Sequence, residues 1–335
     1  MHPAFQGLLT IIIGVGGCVG YYYFSNQFLD KVLFPAKGAN IGRNINRANM
    51  IRPWLFLFPA LLALGLYLGY PVFETLRLSL TERLPGGGSQ FVGLDNYSQM
   101  LGEPKFWEAL QNNFFWLLVV PAMSTAFGLL AAQLTDRISW GNIAKSLIFM
   151  PMAISFVGAA VIWKLVYDTR PIDQEQIGVL NALYLWFGGT EPHTWLTIPF
   201  WNSFFLMAVL IWIQTGFAMV ILSAALRGIP EETIEAAILD GANPFQIFFK
   251  IKVPQIMGTI VVVWTTITIV VLKVFDIVFA MTNGQWETQV LANYMYDKLF
   301  RANDWGVGSA SAMVIMLLVT PILIWNVYNA RKEMR

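Results

Sequence analysis

The sequence predicts an all-α polytopic membrane protein with seven transmembrane helices, one N-terminal helix added to a core of six. Three observations point there. Of 335 residues, 56% are hydrophobic and 12% charged, against roughly 25% charged in soluble domains. Seven stretches come near the ~20 mostly apolar residues that a helix needs to cross about 30 Å of hydrocarbon. Alternating ten-residue strands are missing from the pattern, so the backbone must satisfy itself within helices rather than in a barrel.

The first stretch, 5–24, has no Lys or Arg before it and no A-x-A-like site after it, as in an uncleaved anchor rather than a signal peptide. Val15-Gly16-Gly17-Cys18 resembles a lipoprotein box without the basic leader, and Cys18 is expected to be a small buried residue. One cysteine excludes an intrachain disulfide. Residues 25–52 turn polar, with Gly38, Gly42, asparagines and five basic residues against Asp30, and read as a linker. The chain is thus expected to divide into 1–48, a membrane helix with a basic cytoplasmic linker, and 49–335, a six-helix domain.

The six further spans fall at 53–73, 114–134, 146–163, 200–222, 253–281 and 307–326. Pro59, Pro71, Pro121, Pro151 and Pro321 lie within or beside them, where they free carbonyls and permit kinks. Lys273 and Asp276, in 253–281, are the only charges placed inside a span. Three residues apart on a continuous helix, they would share a face and could pair. An unpaired charge at mid-bilayer costs about 2.5 to 3.5 kcal/mol on insertion scales, which marks both residues for function. Lys273 also lies close enough to the span's end to snorkel.

Orientation follows from the basic residues, which cytoplasmic loops retain. With the loop 226–252 placed in the cytoplasm, that side holds Lys31, Lys37, Arg43, Arg47, Arg52, Arg137, Lys145, Arg227, Lys250, Lys252, Arg331, Lys332 and Arg335. The other side holds Arg77, Arg83, Lys105, Arg170, Lys298 and Arg301. The C-terminus is then cytoplasmic and, with seven crossings, the N-terminus extracytoplasmic. A net charge of +1 provides no polybasic surface for nucleic acid.

The most informative segment is that cytoplasmic loop, which reads as helix, turn, helix. Pro230 suits a first-turn position, and Glu231 and Glu232 face the positive end of the helix dipole. Ile234, Ala237 and Ile238 are expected to form one apolar stripe. Gly241 permits a left-handed stop, and Asn243 caps a second helix, with Pro244 first and Gln246 three residues on. A helix shorter than ~12 residues seldom persists unsupported. It must either rest on its own bundle or insert into a groove of a soluble partner, with Ala236 and Ala237 allowing close approach.

Glu235-Ala236-Ala237, Gly241 six positions after the glutamate, and Ile251-Lys252-Val253-Pro254 resemble the E-A-A, G, I-x-L-P signature of membrane subunits of bacterial binding-protein-dependent ABC importers. Val253 stands where leucine is usual. Phe91-Val92-Gly93-Leu94-Asp95-Asn96-Tyr97 resembles the external segment of the sugar-importing branch, as do Phe275-Asp276 and Thr282-Asn283-Gly284-Gln285 with Thr288. Most sugar permeases read G-G-P where this chain has Asn283-Gly284-Gln285. Residues 273–286 look most like alpha-glucoside-type permeases, relatives of the larger maltose-importer membrane subunit.

The resemblance implies that the loop 227–252 carries a coupling helix docked on an ATP-binding subunit, with Glu235, Ala236, Ala237, Asp240 and Gly241 in that contact. It implies a second permease subunit of similar fold, two ATP-binding subunits and an extracytoplasmic sugar-binding protein as partners, working by alternating access in the inner membrane. The external stretches 75–113 and 168–199 are plausible docking surfaces for the binding protein. The cargo would be an alpha-glucoside such as a maltose-, sucrose- or trehalose-like sugar, or a glucosylglycerol-type osmolyte. Rival readings are a permease subunit for glycerol phosphate, polyamine or phosphate, and an ion-coupled secondary transporter, against which the single buried acid argues.

Chemistry of the chain's own is not expected. ATP hydrolysis needs a G-x-x-x-x-G-K-[S/T] loop; Lys145-Ser146 has Ala144 where glycine is required. His2 and His193 have no ligands at metal spacing. No cofactor is expected in this chain, and ATP with Mg would sit on partner subunits. A sugar path calls for aromatics and amide or hydroxyl groups facing a wet cavity. Trp212, Gln214 and Thr215 in the fifth span, and Trp264, Thr265 and Thr268 in the sixth, have that mixture, with Lys273 and Asp276 beside them.

Overall fold

The computed structural model describes residues 3–35, 37, 41–84 and 86–333; His2, Gly38 and Arg335 lie outside the described residues. Contacts divide the chain into two compact units, Met1–Glu74 and Thr75–Arg335.

In the first unit, α1 (Pro3–Phe28) and α2 (Ile41–Leu64) run on into π turns at Leu29–Leu33 and Gly65–Gly69, and α3 (Tyr70–Ser79) follows. Each of these π turns ends two residues before a proline, Pro35 and Pro71, because proline removes one amide and crowds the carbonyl four residues back. Pro59, inside α2, leaves the Leu55 carbonyl without its helical donor, and the Tyr21 hydroxyl donates to that carbonyl at 2.9 Å. An Arg52–Asp30 ion pair of 2.6 Å adds a second tie. Cys18 is exposed, not buried as the sequence suggested.

The second unit opens with a short antiparallel hairpin, β1 (Thr81–Arg83) against β2 (Ser89–Phe91). Buried Asn96 donates to the Ser79 and Thr81 carbonyls at 2.9 and 3.1 Å and fastens α4 (Asp95–Gly102) to the hairpin. Then come α5 (Pro104–Thr135), α6 (Gly141–Phe149), α7 (Phe156–Val166), α8 (Val179–Trp186) and α9 (Trp201–Arg227). The loop carries α10 (Glu231–Leu239) and α11 (Pro244–Gln246), and a third π turn, Ile247–Lys252, again two residues before a proline, leads into α12 (Val253–Gln255). The chain ends with α13 (Met257–Leu272), α14 (Asp276–Met281), α15 (Leu291–Tyr296) and α16 (Trp305–Glu333).

Five helices among the described residues are long and apolar enough to cross a membrane, and seven crossings result when each of two bent helix pairs is one span. The bends fall in the run 146–163, where Pro151 was expected to permit a kink, and at the start of the run 253–281. Helix α6 passes through a 3-10 turn at Pro151 into α7 at an angle of 106°, and α12 meets α13 at 71°. Pro121 and Pro321, by contrast, are carried inside continuous helices.

The core of this unit lies between α5, α9 and α13, where Trp116, Val120, Leu206, Leu210, Val263 and Ile267 are buried. Small residues set the spacing, as in other membrane bundles. A Cβ on Gly128 would lie 2.4 Å from the Ala218 Cβ, and one on Gly216 would lie 2.6 Å from the Ile148 carbonyl oxygen, so α9 touches both α5 and α6 at backbone distance.

Candidate functional site

The loop between α9 and α13 is fully hydrogen-bonded at its corners. Pro230 stands at the N-cap of α10, one position earlier than the first-turn placement expected, and Glu231 and Glu232 fill the first turn. Gly241 has φ +79, and the amides of Gly241 and Ala242 bond to the carbonyls of Ile238 and Ala237 at 3.0 and 2.9 Å. This double closure ends a helix through a left-handed residue that glycine adopts without strain. Asn243 and Gln246 then form a complete capping box, side chain to amide in both directions at 2.9 Å.

Ile229, Ala237 and Ile247 are buried and Ile234 half-buried, so α10 rests on its own bundle. Ile238 does not complete that stripe. It lies about 100° further round the helix than Ala237 and is exposed, together with Leu239 at 88%, Phe245 at 76% and Phe249. Glu235, Ala236 and Asp240 are exposed as well. One face of the loop therefore seats on its own bundle, and the other offers apolar and acidic groups outward.

A second constellation forms where two helices break. α7 starts after Ser155, whose hydroxyl accepts the Gly158 amide at 3.1 Å, and α13 stops at Leu272, with α14 restarting at Asp276. Lys273 and Asp276 thus do not share a continuous helical face, and no ion pair joins them among the described residues. Asp276 instead lines a cavity of about 440 Å³ with Gln214, Ser155 and Phe156. Lys273 lines a neighbouring cavity of about 340 Å³ with Phe275, Met295 and Tyr296. Gln214 is buried, and its amide has no partner among the described residues.

The remaining aromatic and hydroxyl candidates are engaged with the protein itself. Trp212 packs edge-on to Trp163 at 5.8 Å. Thr215, Thr265 and Thr268 donate their hydroxyl protons to carbonyls four residues back, at 2.7, 2.9 and 2.8 Å. Trp264 is on the exposed side of α13. Sequence reasoning missed Ser155, Phe156 and Tyr296; Pro151 followed by Ser155 was the available sign of a helix restart.

The stretch after α14 is tightly held. Asn283, Trp286 and Glu287 have positive φ, and the Asn112 amide donates to the Glu287 and Gln289 carbonyls, both at 2.9 Å. Tyr294 donates to Glu103 at 2.8 Å, and burial, then that carboxylate, push its phenol upward so that it stays protonated. Among the described residues, no group of three or more His, Cys, Asp or Glu could hold a metal ion.

Broken crossings beside cavities that each hold a charged side chain, together with a closed loop that has an outward apolar face, fit a membrane transport subunit. The family signature described as "Binding-protein-dependent transport system inner membrane component" matches residues 124–334, and the chain belongs to that family of ABC transporter permeases. It is 64% identical over 337 residues to the alpha-glucoside transport system permease protein AglF of Rhizobium meliloti (strain 1021), covering 99% of each chain. It is 47% identical over 283 residues to the osmoprotective compounds uptake permease protein GgtC of Synechocystis sp., covering 84% of this chain and 100% of that one. In fold it is similar to a chain of a bacterial ABC transporter involved in the import of the acidic polysaccharide alginate, with TM-score 0.72 at 20% identity over 87% of this chain and 99% of that chain.

Proposed function

We propose that this chain is the permease subunit of an ATP-driven importer and forms the path for an alpha-glucoside. The observation that carries the reading is the outward face of the loop, where Glu235, Ala236 and Asp240, with the turn at Gly241, present a formed but uncovered helix; Ala237, expected on that face from the sequence, is buried on the opposite side against the bundle. A soluble ATP-binding subunit covers that face, hydrolyses ATP with Mg, and moves the loop. Two such subunits, a second permease subunit of similar fold and an extracytoplasmic sugar-binding protein complete the assembly. The core is residues 49–335, and 1–48 is an added anchor, with the C-terminus cytoplasmic and the N-terminus outside.

Gln214, Ser155 and Asp276 line the path in one cavity at the helix breaks and Lys273 adjoins it beside Asp276, a reading supported by Gln214 having no partner among the described residues. The likeness to AglF over the whole chain supports the alpha-glucoside assignment. A glucosylglycerol-type osmolyte is the second reading, favoured by the likeness to GgtC.

Affinity capture of the tagged chain from native membranes, followed by uptake of labelled maltose, trehalose, sucrose and glucosylglycerol into vesicles, tests both. The expected result is copurification of an ATP-binding subunit and ATP-dependent uptake that survives collapse of ion gradients. Uptake that follows an ion gradient and ignores ATP would overturn the proposal in favour of a secondary transporter.

A further inference from the structure

The C-terminal end of α5 carries a charged knot that the proposed path does not use. Asp136 caps α5. Its carboxylate is ion-paired with Lys145 of α6 and with Arg227 of α9, the latter at 3.4 Å. The Ser223 hydroxyl, on α9 and buried, lies 3.1 and 3.2 Å from the two carboxylate oxygens, and it accepts from Lys145 at 2.7 Å and from Arg227 at 3.1 Å. One serine thus uses its single donor and both acceptor positions in the knot. The Lys145 and Asp136 side chains are only 14% and 22% exposed, so solvent screens the pair less than it would a surface salt bridge.

Position gives the knot its meaning. Arg227 is the last residue of α9, from which the loop departs toward α10. The outgoing foot of the loop is therefore tied to the end of α5. Gly128 and Gly216 hold α5, α6 and α9 at backbone distance, so these helices cannot slide past one another without steric cost. A joint at their common end makes them follow the loop as one body.

We propose that Asp136 is a positioning residue for transport: it fastens the outgoing foot of the loop to α5 and α6, so that displacement of α10 reaches the helix breaks around Gln214 instead of being absorbed at the α9–α10 junction. This rests on the reading that the loop receives the stroke of an ATP-binding subunit. An isolated loss of the carboxylate leaves Lys145 and Arg227 facing each other uncompensated, and the foot of the loop loosens.

The test is the full reconstituted importer with Asp136→Asn, read as sugar transported per ATP hydrolysed, alongside membrane abundance and subunit copurification. Abundance, copurification and ATP hydrolysis should stay near wild type, while sugar moved per ATP falls by about tenfold, the effect of losing one charge-assisted contact. Asp136→Glu should recover much of that ratio. Uptake and hydrolysis that fall together, in step with abundance, would mean a merely structural role and overturn the proposal, as would an unchanged ratio. Gly241→Val in parallel separates the two readings: defective Gly241→Val with normal coupling in Asp136→Asn rejects the knot alone, whereas normal transport by Gly241→Val rejects the loop's role itself.

Discussion

Replacing Gly241 with valine puts a β-branched residue at φ +79. No atom lies within 4 Å of a Cβ built there, so the cost is backbone strain alone. For a branched residue in the left-handed region that strain is about 2 to 3 kcal/mol. It acts on a helix of nine residues, too short to persist alone, whose seat on the bundle is chiefly Ile234 together with Ile229 just before it. Burying one isoleucine contributes about 1.5 to 3 kcal/mol. The strain therefore matches what holds α10 in place and should lower the population of the docked loop roughly 30- to 150-fold. The assay is ATP-dependent uptake in proteoliposomes, normalised to inserted protein, for wild type, Gly241→Val and Gly241→Asn. Valine should abolish uptake while insertion persists, and asparagine, which tolerates the left-handed region, should retain most of it. Wild-type uptake with valine would refute the reasoning, and so would equal damage from asparagine, since the cost would then not be backbone strain.

Gly128→Leu, whose Cβ would meet Ala218 and the Met219 backbone, should part α5 from α9 and cost about 3 kcal/mol or more; a lowered melting temperature in detergent checks it. Asn243→Ala removes one half of the capping box and should destabilise the start of α11 by about 1 kcal/mol. Hydrogen exchange over 243–252 should rise while exchange over α5 is unchanged. Gln214→Ala and Asp276→Asn, both lining the larger cavity at the breaks, should raise KM for the sugar with subunit assembly intact. Unaltered kinetics in both would take that cavity out of the path.

Hydrophobic run length made the crossings legible because the requirement is set by the bilayer and not by neighbouring helices. The loop was legible for a related reason. Prolines, first-turn acids, the left-handed glycine and the Asn243–Gln246 box all act within a few residues, so spacing alone announces them. Where a decision depended on what stands opposite in space, spacing gave the wrong answer. Lys273 and Asp276 read as neighbours on one helix only if the helix continues, and it stops at Leu272. The run 146–163 is uncharged and its Pro151 permitted a kink, but the extent of the turn, 106° through Pro151 and the Ser155 cap, is set by the packed structure.

Composition and local chemistry thus determined that the chain crosses a membrane, about where it crosses, and that one loop folds as helix, stop, helix. Tertiary structure alone decided which side of α10 seats on the bundle, where the broken helices open a cavity, and that Asp136, Lys145, Ser223 and Arg227 meet at one point. The physical reason is range. Helix propensity, capping and partition into lipid are fixed by adjacent residues, whereas a cavity or a charged knot depends on distances between segments nearly a hundred positions apart, such as the 87 separating Asp136 from Ser223, and only close packing of the whole bundle sets those distances.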